Sequence, residues 1–269
     1  MVAKTIMIQG TTSNAGKSML ATALCKIFAD QGLRVAPFKA WNMSQNSHVT
    51  RNGLELGVAQ GLQAELLGLK VSGEYNPIFL KASGHGQTQL YVLGKPWDQP
   101  LQESFQDFAW PIIQGSLFRL MANYDVVVIE GAGSPGELNI KHREVANMRV
   151  AKLVDAPVLI VADVDRGGAL AGIIGTIDLL ESDERDLVIG SVLNKFRGDL
   201  EIMKPGCRVI EEYTRLPVVG VIPYCEDHGF PEEDGESLAS FSKVDFFDFT
   251  DQVRASLDLE YIYERMGVV

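Results

Sequence analysis

The stretch that most constrains the fold is a glycine-bounded loop near the start of the chain. An apolar run over residues 5–9 leads into Gly10, and Gly16, Lys17 and Ser18 then open an amphipathic run over residues 19–28. This order predicts a strand, a tight loop and a helix. Backbone N–H groups at a helix start attract an anion, and glycines let the backbone approach it closely. The loop therefore predicts a phosphate site.

Two side chains of the loop have expected roles. Lys17 is the expected contact to the outer phosphates of a nucleotide, and the Ser18 hydroxyl is the expected ligand of Mg²⁺. The loop departs from the strict pattern, because five residues separate Gly10 from Gly16 where about four are usual, and Thr11 replaces the first glycine. The residues expected to bind the nucleotide are Gly10, Thr12, Asn14, Ala15, Gly16, Lys17, Ser18, Met19 and, far along the chain, Asn194.

The rest of the chain alternates between apolar runs and helical patterns. Strands are predicted over residues 34–38, 76–81, 89–93, 124–130, 157–163, 186–193 and 217–222. Helices are predicted over residues 54–67, 112–122, 144–154, 169–180, 202–213 and 249–266. Residues 41–47 are polar and amide-rich, which predicts a loop. The alternation predicts an α/β fold with a doubly wound, mostly parallel sheet and helices on both faces.

Polar side chains stand where several predicted strands end. Lys39 follows the second strand, Glu130 ends the strand at 124–130, and Asn194 follows the strand at 186–193. Ligands bind at the carboxyl edge of an open α/β sheet, so we expect these side chains near the phosphate loop. Glu130 suits Mg²⁺, and an Asn amide can both donate to and accept from adenine. Glu55, at the predicted start of the second helix, is either a favourable charge for the helix dipole or a further Mg²⁺ ligand.

Composition excludes several classes of function. The net charge of −11 argues against nucleic acid as a main partner, because nucleic-acid binding favours a basic patch. Three widely spaced cysteines, Cys25, Cys207 and Cys225, indicate neither a zinc site nor a disulfide framework. No apolar stretch is long enough to span a membrane, and the chain starts with a strand pattern rather than a signal peptide. We therefore expect a cytoplasmic enzyme with no membrane or nucleic-acid partner.

The composition changes after Pro223. An acidic, turn-rich stretch and an aromatic stretch precede the predicted amphipathic helix at 249–266. We expect residues 1–224 to form the nucleotide-dependent domain. We expect residues 225–269 to form an acidic linker and a terminal helix that packs on that domain.

Taken together, the motifs resemble the ATP-dependent synthetase domain of the cobyric acid synthase family, within the wider dethiobiotin synthetase-like group of P-loop NTPases. The resemblance extends from the start of the chain to about residue 224. It is most specific from Phe38 to Met43 and from Asp165 to Gly168. It rests on residues 10–18, 37–47, 55–65, 76–81, 130–139, 161–168 and 193–199.

The resemblance implies ATP- and Mg²⁺-dependent amidation of side-chain carboxylates on a corrinoid, from cobyrinic acid a,c-diamide towards cobyric acid. ATP would convert a carboxylate to an acyl phosphate, and ammonia would displace the phosphate. By position, Lys17, Lys39 and Glu130 are the catalytic candidates, and Ser18, Glu55 and Glu130 are the candidate Mg²⁺ ligands. The substrate side would be lined by Lys39, Asn42, Ser44, Lys81, Gly131 and Ala132.

The chain departs from the family pattern in two ways. Cobyric acid synthases usually continue into a glutaminase domain, and Cys225 lacks the tight glycine-flanked turn that such a nucleophile needs. The expected ammonia source is therefore free ammonia, a separate glutaminase chain, or a further part of a longer natural protein. Trp41 stands where the family pattern predicts Gln. The resemblance also implies a homodimer as one form of the protein, because family substrate sites often lie at a subunit contact.

Three alternatives stay open at this stage. The first is a dethiobiotin synthetase-like ligase, against which the loop at 42–47 and the segment from Asp165 to Gly168 argue. The second is a ParA-like or MinD-like ATPase, which would carry a second lysine early in the phosphate loop; residues 11–15 contain none. The third is a non-catalytic, corrinoid-binding or regulatory relative.

Overall fold

A computed structural model describes residues 2–83, 87–226, 228, 230 and 242–268. In the first half of the chain the elements are β1 Lys4–Gly10, α1 Lys17–Asp30, β2 Val35–Phe38, β3 Trp41–Ser44, β4 His48–Val49, β5 Glu55–Leu56, α2 Val58–Leu66, β6 Ile78–Ser83, β7 Gln87–Val92, β8 Lys95–Pro96 and α3 Phe105–Asn123. In the second half they are β9 Val126–Glu130, α4 Met148–Leu153, β10 Val158–Asp163, α5 Ala169–Asp178, α6 Ser182–Arg185, β11 Val188–Phe196, α7 Leu200–Thr214, β12 Val218–Pro223, α8 Lys243–Ser256 and α9 Leu259–Met266.

The central sheet has six parallel strands in the order β12-β11-β10-β1-β9-β2. Its strands are continuous apolar runs because helices cover both of its faces. β1 lies in the middle, where Ile8 pairs with Glu130 on one side and Gly10 pairs with Val161 on the other. The predicted doubly wound parallel sheet is confirmed, and the phosphate loop leaves it at its centre.

Two apolar cores fill the space between this sheet and its helices. Ile6 and Ile8 of β1 pack with α1, α8 and α9 on one face. Met7, between them, packs on the opposite face with residues of α3, α4 and α5. This alternation follows from the two-residue period of a strand. Cys25 on α1 is fully buried, as expected for a core residue.

The prediction of a polar loop over residues 41–47 is wrong for its first half. Trp41–Ser44 forms β3, which pairs in parallel with β6. A second sheet results, with the order β3-β6-β7-β8, in which β6 and β7 form an antiparallel pair. Asn42 and Ser44 are buried in it. The error has a physical cause, because polar residues join a buried strand when a distant segment supplies their partners.

Several helix boundaries also differ from the prediction. The second helix begins at Val58, because Glu55–Leu56 pairs with His48–Val49 in a two-stranded ribbon. Glu55 therefore does not lie at a helix start. The helix predicted over 144–154 begins at Met148, because the Glu144 carboxylate accepts hydrogen bonds from backbone N–H groups that include Arg149 N at 2.9 Å.

The terminal helix predicted over 249–266 is two helices, α8 and α9. They are separated at Leu257, which bridges to Gly220 of β12, and Asp258, which caps α9. α8 packs against α1 and β12, and α9 packs against β1. The acidic stretch from residue 231 to 236 lies outside the described residues. None of the described helices has the length and apolar character needed to cross a bilayer.

Candidate functional site

The phosphate loop joins β1 to α1 with a left-handed residue at the helix start. Gly16 is the N-cap of α1 and has a φ of 98°. A Cβ at Gly16 would lie 2.0 Å from Asn194 Nδ2, so both the conformation and the space require glycine. At the other end of the loop, a Cβ on Gly10 would lie 2.9 Å from the carbonyl oxygen of Thr12. Both glycines predicted for the loop therefore occupy places that a larger residue would strain.

Lys17 lies within this loop rather than in solvent. Its side chain is only 7% exposed, and Nζ donates to the carbonyl oxygen of Thr12 at 2.9 Å. Lys17 is the first residue of α1, so its ammonium group lies beside the N–H groups that open the helix. Both carry positive charge, and together they attract an anion.

Three segments of the chain meet at Glu130. Ser18 Oγ donates to Glu130 Oε1 at 2.7 Å, and Lys39 Nζ approaches the same oxygen at 2.7 Å. Glu130 and Lys39 are 1% and 2% exposed. Their burial weakens solvent screening, so this ion pair is far stronger than one at the surface. The structure thus joins the predicted phosphate-loop serine, strand-end lysine and strand-end carboxylate directly.

Gln60 is a fourth member of this cluster, and the sequence analysis did not assign it to the site. It lies on α2 with no exposed surface, and its Nε2 donates to Glu130 Oε2 at 3.1 Å. Its Oε1 has no hydrogen-bond partner among the described residues. A buried amide in an amphipathic helix can be read in the sequence as a polar residue on the inner face. The sequence does not show which carboxylate it meets.

Glu55 has a different set of partners. It accepts short hydrogen bonds from Ser47 and Lys81, and it also interacts with Tyr91. Burial raises the pKa of Glu55, but the hydrogen bonds from Lys81, Ser47 and Tyr91 outweigh burial and hold that pKa below its usual value. The hydrogen bond from Tyr91 to Glu55 raises the pKa of the tyrosine to about 12. The structure therefore brings Glu55 together with Lys81, which had been predicted for the substrate side.

The end of β11 holds the outer side of the phosphate loop. Asn194 is buried, and its Nδ2 donates to the carbonyl oxygen of Ala15 at 3.0 Å. Lys195, which the sequence analysis did not assign to the site, donates to the carbonyl oxygen of Asn14 and to Asp163 Oδ2, both at 3.0 Å. Lys195 has a φ of 62°. This conformation marks a strained turn at the strand end, and the position of Lys195 after Asn194 was the only sequence signal for it.

A small pocket opens beside the loop. It measures about 80 Å³, and its lining includes Gly16, Ser18, Met19 and Lys195. Met19, an expected loop residue, forms part of its wall. Next to it lies a second pocket of about 220 Å³, whose lining includes Asn194 and Tyr224. The two pockets share Met19, Lys195 and His228 in their linings.

The remaining predicted substrate residues lie around β3 and after β9. Asn42 and Ser44 are 3% exposed. Asn42 packs close to Gly57, where a Cβ would lie 2.7 Å from Asn42 Nδ2. Gly131 and Ala132 follow Glu130, and a Cβ on Gly131 would lie 2.2 Å from Asn147 Oδ1. Asn42 and Ser44 thus lie in β3, and Gly131 and Ala132 directly follow β9.

The parallel sheet, the loop at its centre and the Ser18–Glu130 pair together define a P-loop nucleotide-binding domain. Comparison with known families agrees with this class. The chain belongs to the CobQ/CobB/MinD/ParA nucleotide binding domain family, whose sequence model matches residues 6–238.

Relatives named cobyric acid synthase match most of this chain. One from Desulfitobacterium hafniense is 50% identical over 87% of this chain and 46% of its own length. Others from Moorella thermoacetica and Geobacillus kaustophilus are 50% and 48% identical over 88% of this chain, and 47% and 48% of their own lengths. The chain spans about half the length of the curated relatives it matches. The predicted resemblance to the cobyric acid synthase family is confirmed.

Among solved structures, the signal recognition particle receptor FtsY from Elizabethkingia anophelis matches with a TM-score of 0.47. It is 19% identical, over 92% of this chain and 65% of that chain. A likeness this distant supports no argument about function.

Proposed function

We propose that this chain is the ATP-dependent amidating part of a cobyric acid synthase. ATP transfers its terminal phosphoryl group to a side-chain carboxylate of a corrinoid, which gives an acyl phosphate and ADP. Ammonia then attacks the acyl carbon, the bond from that carbon to the phosphate oxygen breaks, and inorganic phosphate leaves. The nitrogen loses a proton and becomes a primary amide.

The observation that carries this proposal is the contact of Ser18 and Lys39 with Glu130 beside the phosphate loop. The reaction must bring a nucleotide phosphate and a substrate carboxylate together, although both are anions. The whole chain carries a net charge of −11, so only local cations can offset their repulsion. Lys17 provides such a charge with little exposure to water. Lys39 would provide a second once bound Mg²⁺ offsets the charge of its partner Glu130. Preorganised charge of this kind is commonly the main contribution to catalysis.

The residues present fit Mg²⁺. Ser18 Oγ and Glu130 Oε1 are oxygen donors 2.7 Å apart. Glu55, the other predicted ligand, contacts Ser47 and Lys81 instead. The described residues contain no cluster of three or more His, Cys, Asp or Glu that could hold a metal. This suits Mg²⁺, which is usually held by one or two carboxylates together with substrate phosphates. When bound, Mg²⁺ would neutralise charge that develops on the phosphates.

The residues of the chain have separable tasks in this proposal. Lys17 and the α1 N-terminus bind the outer phosphates, and Lys39 orients the substrate carboxylate towards them. Asn194 and Lys195 hold the phosphate loop through its carbonyl oxygens, and Asn194 also borders the space for the base. Residues 1–224 would carry the phosphate loop, Lys39 and Glu130. His228 and Phe230 line the pocket beside the loop, and Phe249 of α8 lines the neighbouring pocket.

The nitrogen would reach the site as ammonia from solution, from a separate glutaminase chain or from a further part of a longer natural protein. Ammonium chloride and glutamine, tested side by side as nitrogen donors, distinguish these sources. Activity with ammonium chloride alone identifies the chain as competent for amidation without a glutaminase. Activity with glutamine only after addition of a glutaminase identifies the second source.

The deciding experiment measures ATP turnover with ammonium chloride, with and without cobyrinic acid a,c-diamide. The corrinoid should accelerate ADP release, and mass spectrometry should detect the conversion of its carboxylates to amides. ADP release that is indifferent to the corrinoid, with no amide formed, would refute the proposal.

A variant of the loop lysine tests the site itself. Lys17→Ala should abolish corrinoid-dependent turnover while thermal unfolding stays close to that of the wild type. Lys26→Ala is the matched control, because Lys26 lies on the same helix but pairs with Asp30 at the surface. Full activity in a folded Lys17→Ala protein would remove Lys17 from the site.

A further inference from the structure

A second cavity lies apart from the nucleotide pocket. It measures about 320 Å³, which is within the usual range for small-molecule sites. Its walls include Trp41, Phe105, Ala132 and Ile140. None of the residues that line the pocket beside Gly16 and Met19 also lines this cavity. The cavity therefore offers room for a second molecule.

Two wall residues of this cavity are near neighbours in sequence of the Lys39–Glu130 pair. Lys39 and Glu130 contact each other at 2.7 Å, and the chain continues from each of them into the cavity wall. Trp41 follows Lys39 by two residues, and Ala132 follows Glu130 by two residues; both line the cavity. A molecule in the cavity can therefore extend one of its groups towards Lys39 and the phosphate loop.

The wall that contains Ala132 is held in a fixed position. Asn147 Nδ2 donates to the carbonyl oxygen of Ala132 at 2.6 Å, and Ala132 N donates to Asn147 Oδ1 at 3.1 Å. Asn147 also lines the cavity. A wall that is ordered before binding lowers the entropic cost of holding a ligand.

The chemistry of the lining selects a class of ligand. Trp41 and Phe105 present aromatic surfaces, and Ile140 adds an aliphatic one. Lys141 and Arg143 also line the cavity, together with the carboxylates Glu137, Glu144 and Glu184. Lys141 pairs with Glu184 at 2.7 Å, and Arg143 is exposed. Such a lining favours a flat, mainly apolar molecule that carries amide groups at its periphery.

We propose that this cavity holds one side of the corrinoid, so that the carboxylate to be amidated reaches Lys39 and the phosphate loop. The proposal rests on the proposed function, because it assigns a place to the acceptor of that reaction. A corrin macrocycle is larger than this volume, so the cavity encloses only one edge and leaves the rest in solvent. Trp41 is the residue that we expect to determine specificity for that edge.

Trp41 has one more property that favours a role in binding. Its Nε1 is buried and has no hydrogen-bond partner among the described residues. An unpaired buried N–H lowers stability, so a phenylalanine at this position would provide an apolar wall without that cost. The indole is therefore not explained by the stability of the fold.

The test measures binding of cobyrinic acid a,c-diamide to the 269-residue chain by equilibrium dialysis. The affinity for ATP in the presence of Mg²⁺ is measured on the same samples. Trp41→Ala should weaken corrinoid binding by about tenfold or more, as expected for the loss of an apolar contact surface. Trp41→Phe should retain most of the affinity. Nucleotide affinity should not change in either variant.

Trp97→Ala is the matched control. Trp97 Nε1 is likewise buried without a partner among the described residues, but its ring packs on Phe108 and does not line the cavity. A second variant, Ala132→Leu, approaches the cavity differently, because it fills the space instead of removing a wall. It should also weaken corrinoid binding by about tenfold or more, which keeps the test decisive if Trp41→Ala does not fold.

The outcomes separate the two proposals. If the wild type binds the corrinoid and Trp41→Ala and Ala132→Leu bind it equally well, the cavity assignment is overturned and the proposed function stands. If the Trp97→Ala control loses as much affinity as Trp41→Ala, the cavity assignment is also overturned. If the wild type does not bind the corrinoid at all, the proposed function fails, and the assignment of the cavity fails with it.

Discussion

A single buried amide offers a way to perturb the metal side of the site without unfolding the protein. Gln60 Nε2 donates to Glu130 Oε2 at 3.1 Å, while Ser18 and Lys39 both contact Oε1. Methionine in place of Gln60 keeps the length and the helix propensity of the side chain but cannot donate. Glu130 Oε2 would lose this donor, and the orientation of the carboxylate would no longer be fixed from both sides.

The expected change in the free energy of unfolding follows from two opposing contributions. A hydrogen bond to a charged group contributes about 1.5–3 kcal/mol. However, Gln60 Oε1 has no partner among the described residues, and removal of an unpaired buried acceptor restores about 1–3 kcal/mol. The free energy of unfolding of Gln60→Met should therefore stay within about 2 kcal/mol of the wild-type value, by the same bounds. Affinity for Mg²⁺ should fall by about 10–100-fold, as for other groups that orient a metal ligand.

The assay measures ATP binding by calorimetry over a series of Mg²⁺ concentrations, with urea denaturation of the same samples. Gln63→Met is the control, because Gln63 lies on the same helix and is equally buried, but its Nε2 donates to Thr22 Oγ1 at 2.8 Å. The Mg²⁺ concentration that gives half-maximal ATP binding should rise only in Gln60→Met. Equal midpoints in the two variants would refute the reasoning.

Three further changes test the surroundings of this carboxylate. Lys39→Met leaves Glu130 as a buried, unpaired carboxylate and should lower the free energy of unfolding by about 3–5 kcal/mol in urea denaturation; an unchanged value contradicts the buried ion pair. The folded-state pKa of Glu55 lies below its ordinary value of 4.5, so its stabilising contribution is present above that pH and is lost as the pH falls through the lowered pKa. The difference in unfolding free energy between wild type and Glu55→Gln should therefore shrink below pH 4.5, and a difference independent of pH would show that Glu55 has no lowered pKa. Gly16→Ala should abolish nucleotide binding, whereas Gly32→Ala, also at a positive φ but with no atom within 4 Å of its Cβ, should not; equal binding by both variants would mean that the space at Gly16 is not required.

The parts of the site that lie in one short segment could be predicted from the sequence. So could the contacts at the carboxyl edge of the sheet, because parallel strands all end at that edge. The loop and its glycines lie in one short segment. Ser18 and Glu130 are 112 residues apart, yet their contact follows because both lie at the carboxyl edge of neighbouring strands. Gln60 and Lys195 could not be assigned in this way. Their roles depend on which side chain or carbonyl lies opposite, and no periodic pattern encodes that.

The second sheet was missed for a related reason. The segment that begins at Trp41 is polar, and local propensity alone favours a loop. Its pairing with β6 depends on a segment more than thirty residues away, which a window of neighbouring residues does not reveal. The prediction of a single terminal helix was wrong because Leu257 pairs with Gly220. This contact also lies outside the local sequence pattern.

The pairing of Lys39 with Glu130 has a consequence for the order in which ligands bind. The pair is electrically neutral and almost inaccessible to water. A divalent ion that entered alone would leave two uncompensated charges there, at a cost of several kcal/mol per ion. The negative charge of the triphosphate oxygens would offset this excess positive charge. We therefore expect metal and nucleotide to enter as one complex. MgCl₂ without nucleotide should then release no binding heat at concentrations that saturate the site when ATP is present. Heat from the salt alone would contradict this order and would mean that Lys39 moves aside before the phosphates arrive.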